Sequence, residues 1–142
     1  MYKTILLAVD LGEDASWKKA LPAAIALARN FGATLHMMTV VPDLRMGAVT
    51  QFFPEDFEET AVADVDKQIQ AFAAEHVPED VAVAHHVALG SIYEEILATA
   101  KRVGADLIVM AAHRPELKDY LLGPNAARVV RHADCSVLVV RD

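Results

Sequence analysis

The chain has 142 residues, 54% hydrophobic and 23% charged, which is typical of one globular domain, here expected over residues 1–142, and excludes a disordered chain. Its net charge of −7, with no basic stripe, argues against a nucleic-acid binder, and its apolar runs are far shorter than the roughly 20 residues that span a membrane. The single cysteine, Cys135, rules out an internal disulfide and favours the reducing cytoplasm.

Apolar runs of strand length alternate with amphipathic patterns of helical period along the whole chain. The runs are continuous, as expected for strands buried on both faces of a parallel sheet. The predicted elements, in order, are strand Ile5–Val9, helix from about Ala15 to Asn30, strand Thr34–Val41, helix Glu55–His76, strand Val81–Leu89, helix from about Ser91 to Val103, strand Asp106–Ala112, helix from about Pro124 to Ala133 and strand Ser136–Val140. This alternation predicts an α/β fold with one open parallel sheet, right-handed crossovers and helices on both faces.

Three local features add detail to these elements. Pro22 should kink the first helix or displace its start. Ser91 and Glu94 fit a capping box at the start of the third helix. The segment Asp43–Pro54 is long for a crossover, which indicates a lid or a poorly ordered stretch.

In sheets of this kind, ligands bind beyond the carboxyl ends of the strands, where the winding direction reverses. Asp10 ends the first strand, and it faces the segment after the fourth strand if those two strands are neighbours. Its carboxylate could accept a hydrogen bond from an adenine or a ribose. Alternatively, it caps the turn formed by Gly12–Asp14.

The helix start Gly123-Pro124-Asn125 is a second candidate for a ligand contact. The first N–H groups of a helix lack partners within the helix, and they bind phosphates. The segment 114–131 has two acidic residues, Glu116 and Asp119, and four basic residues, so its net charge is +2. The basic side chains that could assist in binding a phosphate are Arg114, Lys118, Arg128 and Arg131. The alternative is an ordinary helix start, with Gly123 as the N-cap and Pro124 at the favoured first position.

His113 follows the fourth strand, where it could assist a phosphate, act as a base or simply order the loop. The sequence has no GxxxxGK[ST] loop, no GxGxxG after the first strand, no GxSxG elbow and no evident Ser-His-Asp set. His132 and Cys135 are only two potential ligands, whereas zinc needs three or four. His85 and His86 should point to opposite faces of their strand, and we interpret them as structural. We therefore expect neither an enzyme nor a metal site.

Four stretches resemble the universal stress protein family over essentially the full length of the chain: ILLAVDLGEDAS, LHMMTVV, GSIYEEILATA and LIVMAAHRPELKDYLLGPNAARVVRHADCSVLVVRD. The last is similar in particular to the single-domain F and G types of enterobacteria. The resemblance implies a Rossmann-like, adenine nucleotide α-hydrolase-like fold with strand order 3-2-1-4-5. It implies a cytoplasmic, homodimeric stress-response protein whose last strands, Ser136–Val140, pair antiparallel across a two-fold axis. It also implies ATP or AMP as the ligand, with Mg²⁺ only alongside ATP.

The resemblance also assigns ligand contacts residue by residue. The ends of the first two strands match positions that contact the adenosine, with Ala8 where a proline is common. The loop after the fourth strand and the helix start match positions that line the phosphates. The candidate nucleotide-binding residues are therefore Ala8, Val9, Asp10, Val40, Val41, Ala111, His113, Arg114, Gly123, Pro124 and Asn125.

The phosphate motif of the family is glycine, two residues, glycine, nine residues, then glycine and serine or threonine. Here Ala111 stands at the first glycine, the second glycine is missing or replaced near Arg114, and Pro124 replaces the hydroxyl residue. The proline removes a hydroxyl and an N–H group. Losing one or two charge-assisted bonds of roughly 1.5–3 kcal/mol each would weaken binding by about tenfold to several hundredfold. The alternative is a nucleotide-free protein-interaction module.

Overall fold

One parallel sheet of five strands organises the computed structural model, which describes residues 1–41, 57–112 and 123–141. The strands are β1 Thr4–Ala8, β2 Thr34–Val41, β3 Val83–Leu89, β4 Leu107–Ala111 and β5 Ser136–Val140. They lie in the order β3-β2-β1-β4-β5, as predicted. The predicted segment Asp43–Pro54 and the first two residues of the predicted second helix lie outside the described residues.

Among the described residues, four helices cover the two faces of the sheet: α1 Ala20–Phe31, α2 Phe57–His76, α3 Ile92–Val103 and α4 Gly123–His132. Within the described ranges, no helix is both long and apolar enough to cross a membrane. The chain adds β2 and β3 on one side of β1 and then crosses to β4 and β5 on the other side. The winding direction therefore reverses between β1 and β4, and the carboxyl ends of these strands flank the place where such sheets bind ligands.

Alternating side chains of the central strands build two core layers. Leu7 of β1 is fully buried on the face covered by α1 and α2, where Ile69 belongs to the same apolar cluster. Leu6 is fully buried on the opposite face, in a cluster with Ile96 of α3 and Val129 of α4. Each such side chain stabilises the fold by about 1.5–3 kcal/mol. Burial on both faces accounts for the uninterrupted apolar sequence of β1.

The first helix begins at Ala20, later than the predicted start near Ala15. The residues Asp14–Ser16 form a short 3₁₀ turn instead. Pro22 lies in the first turn of α1, where its missing N–H would have no partner within the helix. The proline therefore displaces the helix start, as one of the two expectations had it. Gly32 ends the helix in the left-handed region, at φ 64°, which a glycine adopts at little steric cost.

The capping box predicted for α3 is wrong. Ser91 is the N-cap residue, but its hydroxyl makes no capping hydrogen bond. The Glu94 carboxylate accepts instead from the Tyr93 hydroxyl at 3.1 Å. The Tyr93 N–H donates to Oδ1 of Asn125 on α4 at 3.1 Å. An asparagine from the next helix thus supplies an acceptor for the start of α3, which a cap would normally supply locally.

Candidate functional site

The carboxyl edge of the sheet remains hydrogen-bonded one residue beyond the strands. The Val9 N–H donates to the Met38 carbonyl at 2.9 Å, and the Gly90 N–H donates to the Val41 carbonyl at 3.0 Å. Ala112 is held in the same way beyond β4. The strand ends that the sequence assigned to a ligand therefore form a fixed rim.

Asp10 lies on this rim and is held by a turn of its own making. Its Oδ1 accepts the Gly12 N–H at 3.1 Å, and its carbonyl accepts the Glu13 N–H at 3.1 Å. The turn-capping role considered for Asp10 is thus present. The other carboxylate oxygen, Oδ2, has no hydrogen-bond partner among the described residues, and the side chain is partly exposed. The same carboxylate therefore fixes the turn and offers an acceptor at the rim.

Ser16 clamps the main chain of Asp10, a role that the sequence analysis missed. Its hydroxyl accepts the Asp10 N–H at 2.9 Å and donates to the Asp10 carbonyl at 2.8 Å. The residue is 1% exposed, so water does not compete for these bonds. A signal was present, because Ser16 carries the first side-chain hydroxyl after β1. Its spacing of six residues from Asp10 matches no standard turn motif.

Buried apolar residues lie beside Asp10 at the ends of β1 and β4. Ala8 and Val9 are each 3% exposed, and Ala111 is 4% exposed. Their side chains belong to the core, so they offer a ligand mainly their main-chain groups. Val40 and Val41, at the end of β2, are partly exposed. The rim thus combines an apolar surface, which suits a flat ring, with the polar carboxylate of Asp10.

The first turn of α4 lies on the other side of the switch point. Pro124 is exposed there, whereas Asn125 is 9% exposed. The Asn125 side chain joins α4 to the start of α3 through its bond to the Tyr93 N–H. The N-termini of both helices therefore meet at the carboxyl edge of the sheet, and both contribute the positive end of a helix dipole.

Only one of the two basic side chains described on α4 lies near its first turn. The Arg128 guanidinium carbon lies 5.1 Å from the centre of the Tyr93 ring, a cation–π contact at the junction of α3 and α4. Arg131 lies in the last turn of α4, about 12 Å along the helix axis from Gly123. Arg128 is therefore the described basic residue closer to this helix start, and Arg131 lies towards the other end of α4.

Three further candidates, His113, Arg114 and Lys118, lie outside the described residues, and their roles stay predictions. In the part of the chain that the structure describes, no three His, Cys, Asp or Glu side chains are grouped so as to hold a metal ion.

Cys135 precedes β5 and is partly buried. Burial raises the pKa of its thiol, and the nearby carboxylates of Asp106 and Asp134 raise it further. The thiol therefore stays protonated at neutral pH. A protonated thiol is a poor nucleophile and a poor metal ligand.

Comparison with known proteins agrees with the resemblance seen in the sequence. The Universal stress protein family matches residues 1–141. Universal stress protein G of Escherichia coli O157:H7 is similar to this chain, with 33% identity over 143 aligned residues that cover 99% of this chain and 100% of that protein.

Two solved structures of universal stress proteins share the fold. One, a complex with cAMP, matches with a TM-score of 0.61 at 23% identity and covers 99% of this chain and 97% of that chain. The other, from Archaeoglobus fulgidus in complex with dAMP, matches with a TM-score of 0.67 at 20% identity and covers 97% of each chain. The observed strand order agrees with the Rossmann-like, adenine nucleotide α-hydrolase-like fold expected for such proteins. On its sequence match over nearly the whole length, the chain belongs to the universal stress protein family.

Proposed function

We propose that this protein binds an adenine nucleotide at the carboxyl edge of the sheet, between Asp10 and the first turn of α4. In this proposal it acts as a cytoplasmic, homodimeric regulatory or protective module in a stress response. The observation that carries the proposal is the Asp10 carboxylate, which accepts the Gly12 N–H, while the Ser16 hydroxyl holds the main chain of the same residue. One of its oxygens remains available at the rim.

The adenosine end of the ligand would lie on β1 and β2. An exocyclic amino group or a ribose hydroxyl can donate to Oδ2 of Asp10, and a charged acceptor strengthens such a bond. The partly exposed side chains of Val40 and Val41 lie at the end of the neighbouring strand. They would contact the apolar face of the base.

The phosphate end would lie at the start of α4. Two helix N-termini meet there through the bond between Asn125 and the Tyr93 N–H, and their dipoles favour an anion. Arg128 is held nearby over the Tyr93 ring. Pro124 supplies neither a hydroxyl nor an N–H, so this seat has fewer donors than the family motif provides.

The solved neighbours support the ligand class. The bound molecules are cAMP in one and dAMP in the other. These two molecules share adenine and one phosphate and differ in the sugar and in how the phosphate is linked. We therefore propose ATP or AMP as the ligand of this chain, with Mg²⁺ entering only as a companion of ATP.

Mass spectrometry of the small molecules released from the purified, folded protein tests the ligand class without choosing a ligand in advance. We expect AMP or ATP, accompanied by excess absorbance at 260 nm before release. If nothing is retained, the stripped protein should still give binding heat when titrated with each nucleotide. A folded protein that retains no nucleotide and gives no heat at millimolar AMP or ATP would overturn the proposal.

A nucleotide-free interaction module is the second candidate. The observation that favours it is the exposed Pro124 in the first turn of α4, together with Ala111 at the position of a motif glycine. Recovery of an adenine nucleotide from the purified protein would argue strongly against this alternative.

Hydrolysis is not part of the proposal. Within the described ranges, Asp10 is the carboxylate that we place at the rim, and one of its oxygens is already used in its turn. ATP turnover that persisted in an Asp10→Ala variant unable to bind nucleotide would point to a contaminating ATPase.

A further inference from the structure

Two histidines join the edge strand β3 to β2. His36 Nδ1 and His86 Nε2 lie 2.8 Å apart, and the two ring planes differ by 16°. The ring centres are 5.1 Å apart. This distance is close to the sum of the nitrogen–nitrogen separation and the distance from centre to nitrogen in each of the two rings. The centres and the facing nitrogens are therefore nearly collinear. The rings lie edge to edge and form an in-line N–H···N hydrogen bond.

The protonation state of the two rings decides whether this hydrogen bond can form. A bond between two imidazoles needs one facing N–H and one facing lone pair, and two neutral rings provide both. A single added proton binds the remote nitrogen of the donor ring and leaves the bond intact. A second added proton places an N–H on both facing nitrogens, so the rings then repel each other.

The surroundings of the pair oppose protonation. Burial lowers the pKa of His36. Burial also lowers the pKa of His86, and the charges of His36, Arg102 and His85 lower it further. Arg102 lies on α3, which packs on the face of the sheet that carries the pair. This nearby cation also argues against a metal ion between the two rings.

The carboxylate closest to His85 belongs to α2, which packs on the other face of β3. His85 points to that face, and its Nε2 lies 3.5 Å from Oδ1 of Asp66. Glu59, also on α2, lines the same surface groove as Asp66, and His85 and His86 line it too. His85 therefore has an acidic neighbour, whereas no ion pair is formed by His36 or His86 with a described carboxylate.

The two histidines lie where they can affect the pairing of the edge strand β3. β3 is an edge strand that pairs only with β2 in the described sheet. It leads through Gly90, whose N–H donates to the Val41 carbonyl at 3.0 Å, to Ser91, the N-cap of α3. A change in the pairing of β3 therefore reaches the start of α3 directly.

We propose that His36 and His86 form an acid-sensitive clasp, which releases β3 from β2 and loosens the start of α3 when both rings become protonated. The clasp acts through the sheet itself, so it does not rest on nucleotide binding.

The direction of the pKa shifts fixes the pH window. The pKa of histidine in an unfolded chain is about 6.5. The pKa values of His36 and His86 in the folded chain lie lower, so the unfolded chain takes up protons first as the pH falls. The stabilisation by the pair is therefore complete above about pH 6.5, and it is lost as the pH falls through this value towards the folded pKa values.

Hydrogen–deuterium exchange of the full chain tests the clasp. The double variant His36→Asn and His86→Gln places uncharged amides near the two facing nitrogens, and His132→Gln, at an exposed position on α4, is the matched control. Between pH 7.5 and 5, after correction for intrinsic exchange, we expect β3 protection to fall about tenfold or more in the wild type and the control. The fall should be less than about threefold in the double variant. Equal falls in all three proteins would overturn the proposal.

NMR titration of the imidazole nitrogens in the wild type gives a readout that does not depend on whether the double variant folds. We expect His36 and His86 to titrate below the ordinary pKa of histidine, about 6.5, and loss of the β3 amide protection to follow the second proton of the pair. Titration of His36 and His86 at or above that ordinary value, or β3 protection that survives full protonation of both rings, would contradict the clasp.

Discussion

The Ser16 hydroxyl shows how a residue outside the predicted site holds a residue within it. Both of its hydrogen bonds go to the main chain of Asp10. These bonds are formed where the sequence pattern predicted the first turn of a helix. Ser16 belongs instead to the 3₁₀ turn Asp14–Ser16, and α1 begins only at Ala20, with Pro22 in its first turn.

Removal of this hydroxyl should destabilise the protein even without a ligand. Ser16→Ala leaves the Asp10 N–H without its acceptor, and we expect the free energy of unfolding to fall by about 1–2 kcal/mol in a denaturant titration. Ser91→Ala is the control, because the Ser91 hydroxyl makes no capping bond, and it should cost less than about 0.5 kcal/mol. Equal losses in the two variants would show that the clamp contributes nothing specific.

Substitution of Pro124 should strengthen phosphate binding at the start of α4. Pro124→Ala restores an N–H, and Pro124→Ser restores the N–H and adds a hydroxyl. We expect AMP affinity, measured by calorimetry, to rise in that order and to reach about tenfold for the serine variant. Pro78→Ser, in the turn after α2, should leave the affinity unchanged. If all three variants bind as the wild type does, the start of α4 does not hold the phosphate.

At the scale of elements, the ends of strands and helices were predictable where a local signal marks them. β2, β5 and the end of α3 agree with the prediction, because apolar runs stop at turn residues and Gly104 provides a left-handed cap. The cap of α3 was not predictable. Its acceptor is Asn125, 32 residues further along the chain, and no spacing rule connects positions so far apart.

Asn125 should therefore matter for folding as well as for any ligand. Asn125→Ala removes the acceptor of the Tyr93 N–H, and we expect the free energy of unfolding to fall by about 1–2 kcal/mol in nucleotide-free protein. Asn125→Asp keeps an acceptor and should recover much of this loss. Asn30→Ala, at an exposed position on α1, is the matched control. A loss no larger than that of the control would remove the proposed link between α3 and α4.

At the scale of the whole molecule, the alternation of strands and helices was enough to predict a parallel sheet, but not the order of its strands. The order 3-2-1-4-5 came from the family resemblance, and the structure agrees with it. This order places Asp10 and the end of β4 on either side of one switch point. The strand-end residues of the candidate site could therefore be predicted from their positions in the chain. The Ser16 clamp and the Asn125 bridge arise from tertiary contacts, which the sequence pattern does not reveal.

The outer edge of β5 carries the proposed dimer contact. Leu138 is 37% exposed there, and Val130 on the adjacent α4 is 53% exposed. An apolar edge strand of this kind pairs readily with another copy of itself. We expect light scattering to give twice the 15.4 kDa chain mass for the wild type, and about the mass of one chain for Leu138→Glu.

The other edge of the sheet supplies the control for this prediction. Val83 on β3 is 39% exposed, and Val83→Glu should leave the protein dimeric. A monomeric wild type, or a Leu138→Glu variant that remains a dimer, would contradict the assignment of β5 as the interface.

Calorimetric titration of AMP and ATP into Asp10→Ala and Asp14→Ala proteins tests the central claim most directly. Both aspartates belong to the segment after β1, but only Asp10 offers a carboxylate oxygen at the rim, whereas Asp14 is exposed in the 3₁₀ turn. We predict that Asp14→Ala binds as the wild type does and that Asp10→Ala loses about tenfold or more in affinity. Equal nucleotide affinity in the two folded variants would contradict the account.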